Sequence, residues 1–564
     1  MMKALSFNIL AILLLTSSHA FAQVVSTSQT TNQTTRTKTG SITGTVVIEN
    51  GQPLRNALIY VRTFSSARPA QSAMTDSEGK FELNGLEPST YQIFARHSVY
   101  TLLPRDEGTA NNYHIGDSVK LVMVKGGVIT GTVTMQTGEP VIGVRVRAAA
   151  VSTNENVQER FTDDRGVYRL YGLPSGKYVV WAGGGGGAYS GGAYDNDVPT
   201  YAPASPRDTA AEIDVRAGDE TTNVDIRYRG EPGRIVSGTV NSSISGISGV
   251  LVTLTPADGG SQVVGVPPGE RQGFVLYGVD DGEYTLTARS LQQSGELAIS
   301  PPKRISVRGA DVTGVELSLK PLGSVSGQVV LEELKTKECG MREPLMLTET
   351  LVSAWHKQDE AAKAQPKFVW GLGAPANADA QGNLILQNLA PGNYYFVTRF
   401  VAQSWYLQSI SIPSASAQEP KKTVDATRVW TTVKIGDRIS GLKITLAEGA
   451  ASLSGQIELA EGEALAEKLF IYLVPAEKES ADEVLRFYAA PVDSEGKITL
   501  KNLAPGRYWL LGRPAIEGGL TKLRLPDETD SRAKLRREAE AGKTEIELKP
   551  CQNVTDYRLK LSGQ

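Results

Sequence analysis

Short runs of alternating apolar and polar residues recur along the chain, and a tyrosine follows each run at a fixed distance. In the first run the apolar positions are Phe81, Leu83 and Leu86. Because successive side chains of a strand point to opposite sheet faces, this period of two predicts half-buried β-strands. The tyrosines lie five residues beyond the last apolar position, at Tyr91, Tyr178, Tyr284, Tyr394 and Tyr508. We expect each ring to be buried and each hydroxyl to find a hydrogen-bond partner.

Two further signatures accompany these runs. Five segments begin with a hydroxyl residue, glycine, one spacer and a β-branched residue, at 43–46, 130–133, 237–240, 326–329 and 454–457. Four of them continue to a D-x-x-G sequence, at Asp76/Gly79, Asp163/Gly166, Asp379/Gly382 and Asp493/Gly496, and the third has Glu270/Gly273 instead. Asp accepts hydrogen bonds from its own backbone and Gly tolerates positive φ, so D-x-x-G predicts a hairpin turn. The constant spacing indicates an internal repeat.

The pattern predicts an all-β chain of five tandem Ig-like or transthyretin-like antiparallel β-sandwiches in series. Their predicted bounds, which define repeats one to five below, are 40–125, 126–231, 232–321, 322–448 (with an insertion) and 449–564. We expect modest contacts between repeats and an elongated particle. A short late helix is predicted in repeat five over 527–541, where acidic residues lead an Ala-, Lys-, Arg- and Glu-rich run that ends before Gly542.

The order of the motifs resembles the carboxypeptidase regulatory-like family. The best matches are the segment Thr75 to Phe81 (T-D-S-E-G-K-F) and the segment Thr162 to Tyr168 (T-D-D-R-G-V-Y). The resemblance implies a transthyretin-like or prealbumin-like sandwich, grouped with carbohydrate-binding-like folds. It extends over nearly all of residues 40–564. The whole array resembles exported bacterial proteins of uncharacterised function.

The start of the chain predicts export. Lys3, an apolar run over 4–15 and the sequence Ala20-Phe21-Ala22 together make a secretory signal peptide of residues 1–22. Residues 23–39, rich in Ser, Thr and Gln, are predicted to form a disordered leader. No later stretch has the length and apolarity of a membrane span. We therefore expect a periplasmic, secreted or cell-surface location in a bacterium.

Charge argues against one class of partner. The 564 residues carry a formal net charge of −3, and removal of residues 1–22 takes away Lys3 and no acid, which gives −4. A strongly basic nucleic-acid binder is thereby disfavoured. The chain is long enough to bury ample core without help from cysteines.

Catalytic signals are weak. A metallocarboxypeptidase holds zinc with a His-x-x-Glu motif and a distant His, and none of His97, His114 and His356 has a Glu three residues later. Ser77-x-x-Lys80 imitates a serine–lysine dyad, but it lies across a hairpin turn, not at a helix start. We predict no catalytic residue, no metal site and no cofactor, and so a chain that is not an enzyme.

Aromatic residues concentrate in repeat four, which carries four of the six tryptophans. The candidate ligand-binding residues are Trp370, Tyr395, Trp405 and Tyr406. Neighbouring strand residues point to opposite faces, so we expect Tyr395 and one of Trp405 and Tyr406 to be exposed. An exposed ring could stack on the apolar face of a sugar. The alternative is that a larger repeat needs larger core residues.

The two cysteines, Cys339 and Cys551, predict one disulfide. Export delivers the chain to an oxidising compartment, where unpaired thiols are avoided. The bond would join repeats four and five, and two separately buried thiols are the alternative.

Function follows from these points only in outline. We expect a non-catalytic, monomeric binding or structural protein whose partner is a glycan or a cell-surface protein, and not a nucleic acid. The alternative is a set of accessory or orphaned regulatory domains of a hydrolase or peptidase system.

Overall fold

A computed structural model describes residues 39–560 except 65–69, 104–111, 152–155, 186–191, 243–246, 258–261, 268–271, 292–294, 335–338, 340–343, 358–372, 415–422, 459–468 and 517. The predicted signal peptide, residues 23–38 of the predicted leader, and Glu270 lie outside the described residues. Strands dominate the remainder, which confirms the all-β prediction.

The first three repeats consist of strands and one short 3-10 helix. Repeat one contains β1 (Gly40–Ile48), β2 (Leu58–Thr63), β3 (Gln71–Met74), β4 (Lys80–Leu86), β5 (Tyr91–Arg96), β6 (Tyr100–Leu102) and β7 (Ser118–Lys125). Repeat two contains β8 (Gly127–Thr134), β9 (Arg145–Ala150), β10 (Asn156–Phe161), β11 (Val167–Leu173), β12 (Gly176–Ala182), β13 (Thr200–Tyr201), a 3-10 helix (Arg207–Thr209), β14 (Ile213–Val215), β15 (Glu220–Thr221) and β16 (Ile226–Arg227). Repeat three contains β17 (Arg234–Ser242), β18 (Val250–Pro256), β19 (Gln262–Val266), β20 (Gln272–Val279), β21 (Gly282–Ser290), β22 (Ala298–Ile299), β23 (Lys303–Val307) and β24 (Val312–Pro321).

The last two repeats add helices. Repeat four contains β25 (Gly323–Glu332), a 3-10 helix (Leu347–Glu349), β26 (Leu351–His356), β27 (Ala376–Asn377), β28 (Asn383–Leu389), β29 (Gly392–Arg399), β30 (Trp405–Pro413), β31 (Thr423–Asp425), β32 (Thr431–Val433) and β33 (Arg438–Glu448). Repeat five contains β34 (Ala451–Glu458), β35 (Leu469–Pro475), a 3-10 helix (Val484–Arg486), β36 (Tyr488–Pro491), β37 (Lys497–Leu503), β38 (Gly506–Pro514), α1 (Gly519–Leu523), α2 (Thr529–Gly542), β39 (Glu545–Leu548) and β40 (Asn553–Lys560). The predicted late helix is thus confirmed as α2. None of the described helices is long and apolar enough to cross a membrane.

One topology recurs in all five repeats. The first strand of each repeat pairs antiparallel with the strand that follows its D-x-x-G position, as β1 does with β4. On its other side the first strand pairs in parallel with the end of the repeat, as in β1–β7, β8–β16, β17–β24, β25–β33 and β34–β40. A second sheet, such as β3-β2-β5 in repeat one, packs against this one. In repeat three β22 links the two halves into a single eight-stranded sheet.

The parallel pair explains the hydroxyl–glycine motif. At Gly238 the backbone of β17 runs against β24, and a Cβ there would collide with the carbonyl oxygen of Val315. The register of the pair shifts between Val236 and Gly238. Glycine is therefore required because no side chain fits between the two strands.

The other two motifs also have structural roles. The Asp76 carboxylate accepts hydrogen bonds from the backbone N–H groups of Glu78 and Lys80 at 2.9 and 2.8 Å, which closes the turn. The hydroxyls of the five repeated tyrosines each donate to the carbonyl oxygen four residues earlier, at 2.7 to 2.9 Å. This bond ties the start of one strand to the preceding loop, as a tyrosine corner does. The partner expected for each hydroxyl is confirmed.

The five largest clusters of buried apolar side chains fall one in each repeat. They extend over 42–123, 129–228, 236–319, 325–446 and 451–559. Each repeat therefore carries a core between its own strands.

A common junction joins each repeat to the next. A residue just before the first strand of a repeat donates its backbone N–H to a carbonyl oxygen of the preceding repeat. That oxygen lies in the loop that follows the strand carrying the repeated tyrosine. These bonds are Gly126 to Val99, Gly233 to Asn196, Leu322 to Leu297 and Gly449 to Ser404, at 2.8 to 3.0 Å. A second residue of the next repeat also lies against each of these loops. It has a positive φ and lies near the end of the strand that follows the D-x-x-G position. In repeats two to five it is Gly172, Gly278, Asn388 and Asn502, respectively.

The junction between repeats four and five is reinforced. The Asn502 amide donates to the carbonyl oxygens of Ala402 and Trp405 at 2.8 and 2.7 Å. Cys339 and Cys551 form a disulfide with their Cα atoms 5.5 Å apart, which confirms the predicted pairing. Repeats four and five are therefore joined more extensively than by the modest contacts expected between repeats.

Contacts are not confined to consecutive repeats. The Thr90 hydroxyl of repeat one donates to the carbonyl oxygen of Glu349 at 3.3 Å and accepts from the Asn377 amide at 3.1 Å. Thr90 is buried. Repeat one therefore contacts repeat four, which a purely sequential string of repeats would not allow.

Candidate functional site

The aromatic residues predicted to bind ligand in repeat four do not form one open surface. Trp405 is only 5% exposed and packs in the core cluster with Tyr394 and Phe396. It is a core residue because its indole faces the space between the two sheets. The core alternative is therefore correct for Trp405, and Trp370 lies outside the described residues.

Tyr395 points away from the core, as strand alternation predicts, yet it is only 6% exposed. Trp430 lies edge-on to its ring at 5.8 Å between centroids, and Trp355 lies 6.3 Å away. Val484, Leu485 and Arg524 of repeat five line a narrow space together with Tyr395. The expectation of an exposed Tyr395 is wrong, because another repeat covers this sheet face. Burial raises the pKa of the Tyr395 hydroxyl to about 12.

Tyr406 is half-buried in β30. Burial raises the pKa of its hydroxyl, and Arg486 of repeat five opposes that effect. Among the described aromatic side chains of this region, Trp355 is the most exposed, at 46%. Trp355 is one of the four tryptophans of repeat four, but it is not among the candidate ligand-binding residues predicted from the sequence.

An aromatic surface does lie open in repeat one, on the outer face of β3-β2-β5. Tyr60 of β2 pairs with Phe94 of β5 across the sheet, and their rings stack with centroids 5.2 Å apart. The guanidinium carbon of Arg62 lies 4.1 Å from the Phe94 centroid. That of Arg96 lies 5.9 Å from the Tyr60 centroid. We call Tyr60, Arg62, Phe94 and Arg96 the aromatic–arginine face.

A groove adjoins this face. Its volume is about 570 Å³, within the range of small-molecule sites. Its lining residues are mostly polar and come from repeat one and from Gln158 of repeat two: Asn56, Ala95, Arg96, His97, Ser98, Tyr100, Thr101, Leu102 and Gln158. Arg96 belongs to both the face and the groove, so the two form one continuous site, which we call the first-repeat site.

The loop that forms the groove is held by the junction. The carbonyl oxygen of Val99 in this loop accepts from Gly126 at 2.9 Å. The Nδ1 atom of His97 accepts the N–H of Val99 at 3.1 Å. A neutral His97 ring therefore carries its proton on Nε2. Partial burial lowers the pKa of His97, which favours this neutral form.

Arg62 and Arg96 differ in environment. Arg62 is only 8% exposed, and desolvation lowers the pKa of its guanidinium. Its flat group supports the Phe94 ring from one side. Arg96 is exposed at the rim of the groove, where its donors face solvent.

The equivalent sheet face differs among the other repeats, and single aromatic side chains remain exposed on it at Phe161 in repeat two and Trp355 in repeat four. In repeat two Trp181 stacks on Tyr201 at 5.4 Å in a small buried cluster. In repeat five Leu523 of α1 and Leu535 of α2 pack over Tyr472 of β35. In repeat three the outward positions of β18 and β21 include the paired threonines Thr253 and Thr287. Repeat one, by contrast, keeps Leu58 and Met74 36% and 54% exposed beside its aromatic pair.

The first-repeat site was missed because β2 is apolar on both faces. Ile59 and Val61 are buried inward, while Leu58 and Tyr60 point outward, so β2 shows no alternation of apolar and polar residues. One signal was available. Tyr91 points inward, and Phe94 three residues later must then point outward.

The histidines and the apparent dyad provide no metal-binding group among the described residues. His97 and His114 belong to repeat one and His356 to repeat four. No group of three His, Cys, Asp or Glu residues among the described residues is placed to hold a metal ion. Lys80 forms an ion pair with Glu78 at 2.6 Å across the turn that contains Ser77.

Comparison with known proteins supports the family resemblance. Residues 41–107 and 128–228 match the family model described as the carboxypeptidase regulatory-like domain. The resemblance is therefore confirmed in the first two repeats, which include the first-repeat site. No curated protein matches the chain.

Several solved structures are similar at low identity. The minor pilin GBS52 of Streptococcus agalactiae is 13% identical over 34% of this chain and 95% of its own, with a TM-score of 0.20. Two B repeat units of the collagen-binding protein of Staphylococcus aureus are 13% identical over 73% of this chain and 100% of theirs, with a TM-score of 0.14. The Bacillus anthracis TIE protein is 12% identical over 73% of this chain and 70% of its own, with a TM-score of 0.14. At these scores the likeness carries no argument about function.

Proposed function

We propose that the chain is an exported, non-catalytic protein that binds carbohydrate through the first-repeat site. The observation that carries this proposal is the continuity of a half-exposed aromatic pair, Tyr60 and Phe94, with a groove lined by polar groups. Sugars present an apolar ring face and a rim of hydroxyls. The aromatic pair suits the first, and amide, hydroxyl and guanidinium groups suit the second.

The rest of the molecule supports a binding role in a simpler way. Each repeat has its own core, so the first-repeat site lies on a scaffold that does not depend on a ligand for its folding. The loop that shapes the groove is fixed by the junction bond from Gly126 to Val99. A site supported in this way is preorganised, so the protein loses less conformational entropy when a ligand binds.

The proposal is tested with the chain from residue 23 onward on a broad glycan array, followed by calorimetry on the glycans retained. Tyr60→Ala should weaken binding by about 1–3 kcal/mol, the scale of aromatic stacking measured with nucleic-acid bases. Trp355→Ala is the matched control, because it removes another exposed ring, in repeat four. It should leave the affinity unchanged.

Two results would contradict the proposal. Binding that survives Tyr60→Ala but is lost with Trp355→Ala would move the site to repeat four. Retention of no glycan at all would mean that the chain does not bind carbohydrate.

A further inference from the structure

Among the residues that the structure describes, the first-repeat site carries positive charge without acidic residues. The outward side chains of the three strands are Leu58, Tyr60, Arg62, Ser72, Met74, Gln92, Phe94 and Arg96. Two are arginines and none is a carboxylate. The described residues that line the groove likewise contain no Asp or Glu. This local excess of positive charge stands out in a chain whose net charge is −3.

Arg96 differs from the arginines that form ion pairs with a carboxylate. Arg147 pairs with Glu159 at 3.3 Å, Arg169 with Glu220 at 3.1 Å, and Arg486 with Glu477 at 2.7 Å. Arg96 is exposed, and among the described residues no carboxylate lies within ion-pair distance of it. Its guanidinium lies beside the groove, near the Tyr60 ring. An exposed guanidinium offers a planar pair of donors that matches a carboxylate.

We propose that the first-repeat site selects a carboxylate-bearing oligosaccharide, with Arg96 as the group that binds the carboxylate. The inference rests on the proposed function and adds the charge of the ligand. A sugar ring packs on the aromatic–arginine face while its carboxylate pairs with Arg96. The donors of the Asn56 and Gln158 amides bind hydroxyl or ring oxygens in the groove.

The number of charges favours an oligosaccharide over a nucleic acid. A nucleic acid presents one phosphate per nucleotide, and proteins that bind single strands track these phosphates with an extended positively charged groove. The first-repeat site provides Arg62, largely occupied by Phe94, and Arg96. A ligand with isolated carboxylates between neutral hydroxyls matches this arrangement more closely.

The test compares two ligands that differ only in charge, trigalacturonic acid and its fully methyl-esterified form, by calorimetry on the chain from residue 23 onward. We expect the acid to bind at least about tenfold more tightly than the ester, as a charge-assisted bidentate bond provides. Arg96→Gln should lower the affinity for the acid to that of the ester and change the affinity for the ester by less than about twofold. The preference for the acid should shrink between 50 and 300 mM NaCl, because salt screens an exposed pair.

The matched control is Arg207→Gln in repeat two. Arg207 is half-exposed, and its guanidinium lies 5.8 Å from the Tyr201 ring centroid, much as Arg96 lies against Tyr60. This variant removes the same formal charge and should keep the tenfold preference. If it loses the preference as Arg96→Gln does, the effect is one of net charge and the inference is overturned.

The remaining outcomes separate the inference from the proposed function. Equal affinity for acid and ester overturns the selection of carboxylates and leaves carbohydrate binding intact. Binding of neutral glycans on the array with no binding of trigalacturonic acid does the same. Displacement of the acid by oligothymidylate at lower concentrations than the acid itself requires would assign the site to nucleic acid and overturn both.

Discussion

Repeats one and four place aromatic residues on the same outer sheet face, and the two faces have opposite fates. In repeat four Tyr395 is 6% exposed beneath side chains of repeat five. In repeat one Tyr60 and Phe94 remain half-exposed, next to an open groove. The difference lies in what packs on the face and not in the strands themselves.

The comparison shows why aromatic content alone is a poor guide to a binding surface. Repeat four has the higher density of tryptophan, yet Trp405 lies in its core and Trp430 packs edge-on against the buried Tyr395, and Trp355 is its most exposed described tryptophan. Repeat one has no tryptophan and presents the more accessible pair. A ring becomes available to a ligand only where no neighbouring element covers it.

The largest expected effect is a loss of stability caused by a substitution in the core of repeat four. Trp405→Ala should lower the free energy of unfolding of repeat four by about 3–5 kcal/mol, because it removes a large side chain from a packed core. Tyr60→Ala, on the open face, should cost less than half as much. Denaturant unfolding combined with hydrogen exchange of repeat-four peptides measures both. Equal losses for the two variants would contradict the distinction between core and surface.

A smaller effect is expected from removing the disulfide that links repeat four to repeat five, whose side chains lie beside Tyr395. Replacement of both Cys339 and Cys551 by serine should lower the free energy of unfolding by about 2–4 kcal/mol. Amide exchange in β29, which carries Tyr395, should accelerate as repeat five moves away more often. Exchange in β5, on the open face of repeat one, is the internal control and should not change. Unaltered exchange in β29 would show that the other contacts hold the cover without the disulfide.

The smallest expected effect is the dependence of the free energy of unfolding on the ionisation of Tyr395. Burial raises the pKa of Tyr395 to about 12, above the value of about 10 for an unfolded tyrosine. The folded state therefore favours the protonated hydroxyl. The stability that this provides is complete below about pH 10 and is lost as the pH rises towards 12.

Tyr395→Phe should remove roughly 2 kcal/mol of this alkaline loss of stability. Unfolding followed at pH 8 and at pH 11.5 measures it. Trp355→Phe changes a neighbour of Tyr395 without removing a titrating group, so it should keep the wild-type loss. Parallel pH profiles for Tyr395→Phe and the wild type would contradict the assignment.

Much of the fold follows from local sequence. The D-x-x-G turns and the tyrosine hydroxyl bonds are local features that form where their residues predict them, although the Tyr284 ring is only half-buried. The parallel pairing of first and last strands is not local, because it joins residues such as Gly238 and Val315 that are far apart in sequence. Alternation identifies a strand and its inward face but does not name its neighbour.

The candidate site was predictable only in part. Strand alternation correctly turned Tyr395 away from its own core, but Trp430 packs edge-on against its ring, and Val484, Leu485 and Arg524 of another repeat line the space beside it. No pattern within repeat four contains that information. Arg96 poses the reverse difficulty. Its significance rests on the lack of acidic groups among the described residues of three strands and a groove, which come together only on folding.

The parallel pair of first and last strands also determines how each repeat bears tension. Because the two strands run in the same direction, the chain enters a repeat at one end of the pair and leaves at the other. A pull on the two ends of the chain loads the hydrogen bonds of the pair together in shear, so they do not open one after another. In the last two repeats the disulfide offers a shorter path for the force, from Cys339 directly to Cys551. The 211 residues between these cysteines, which include Tyr395 and its cover, are then relieved of load while the three preceding repeats bear it.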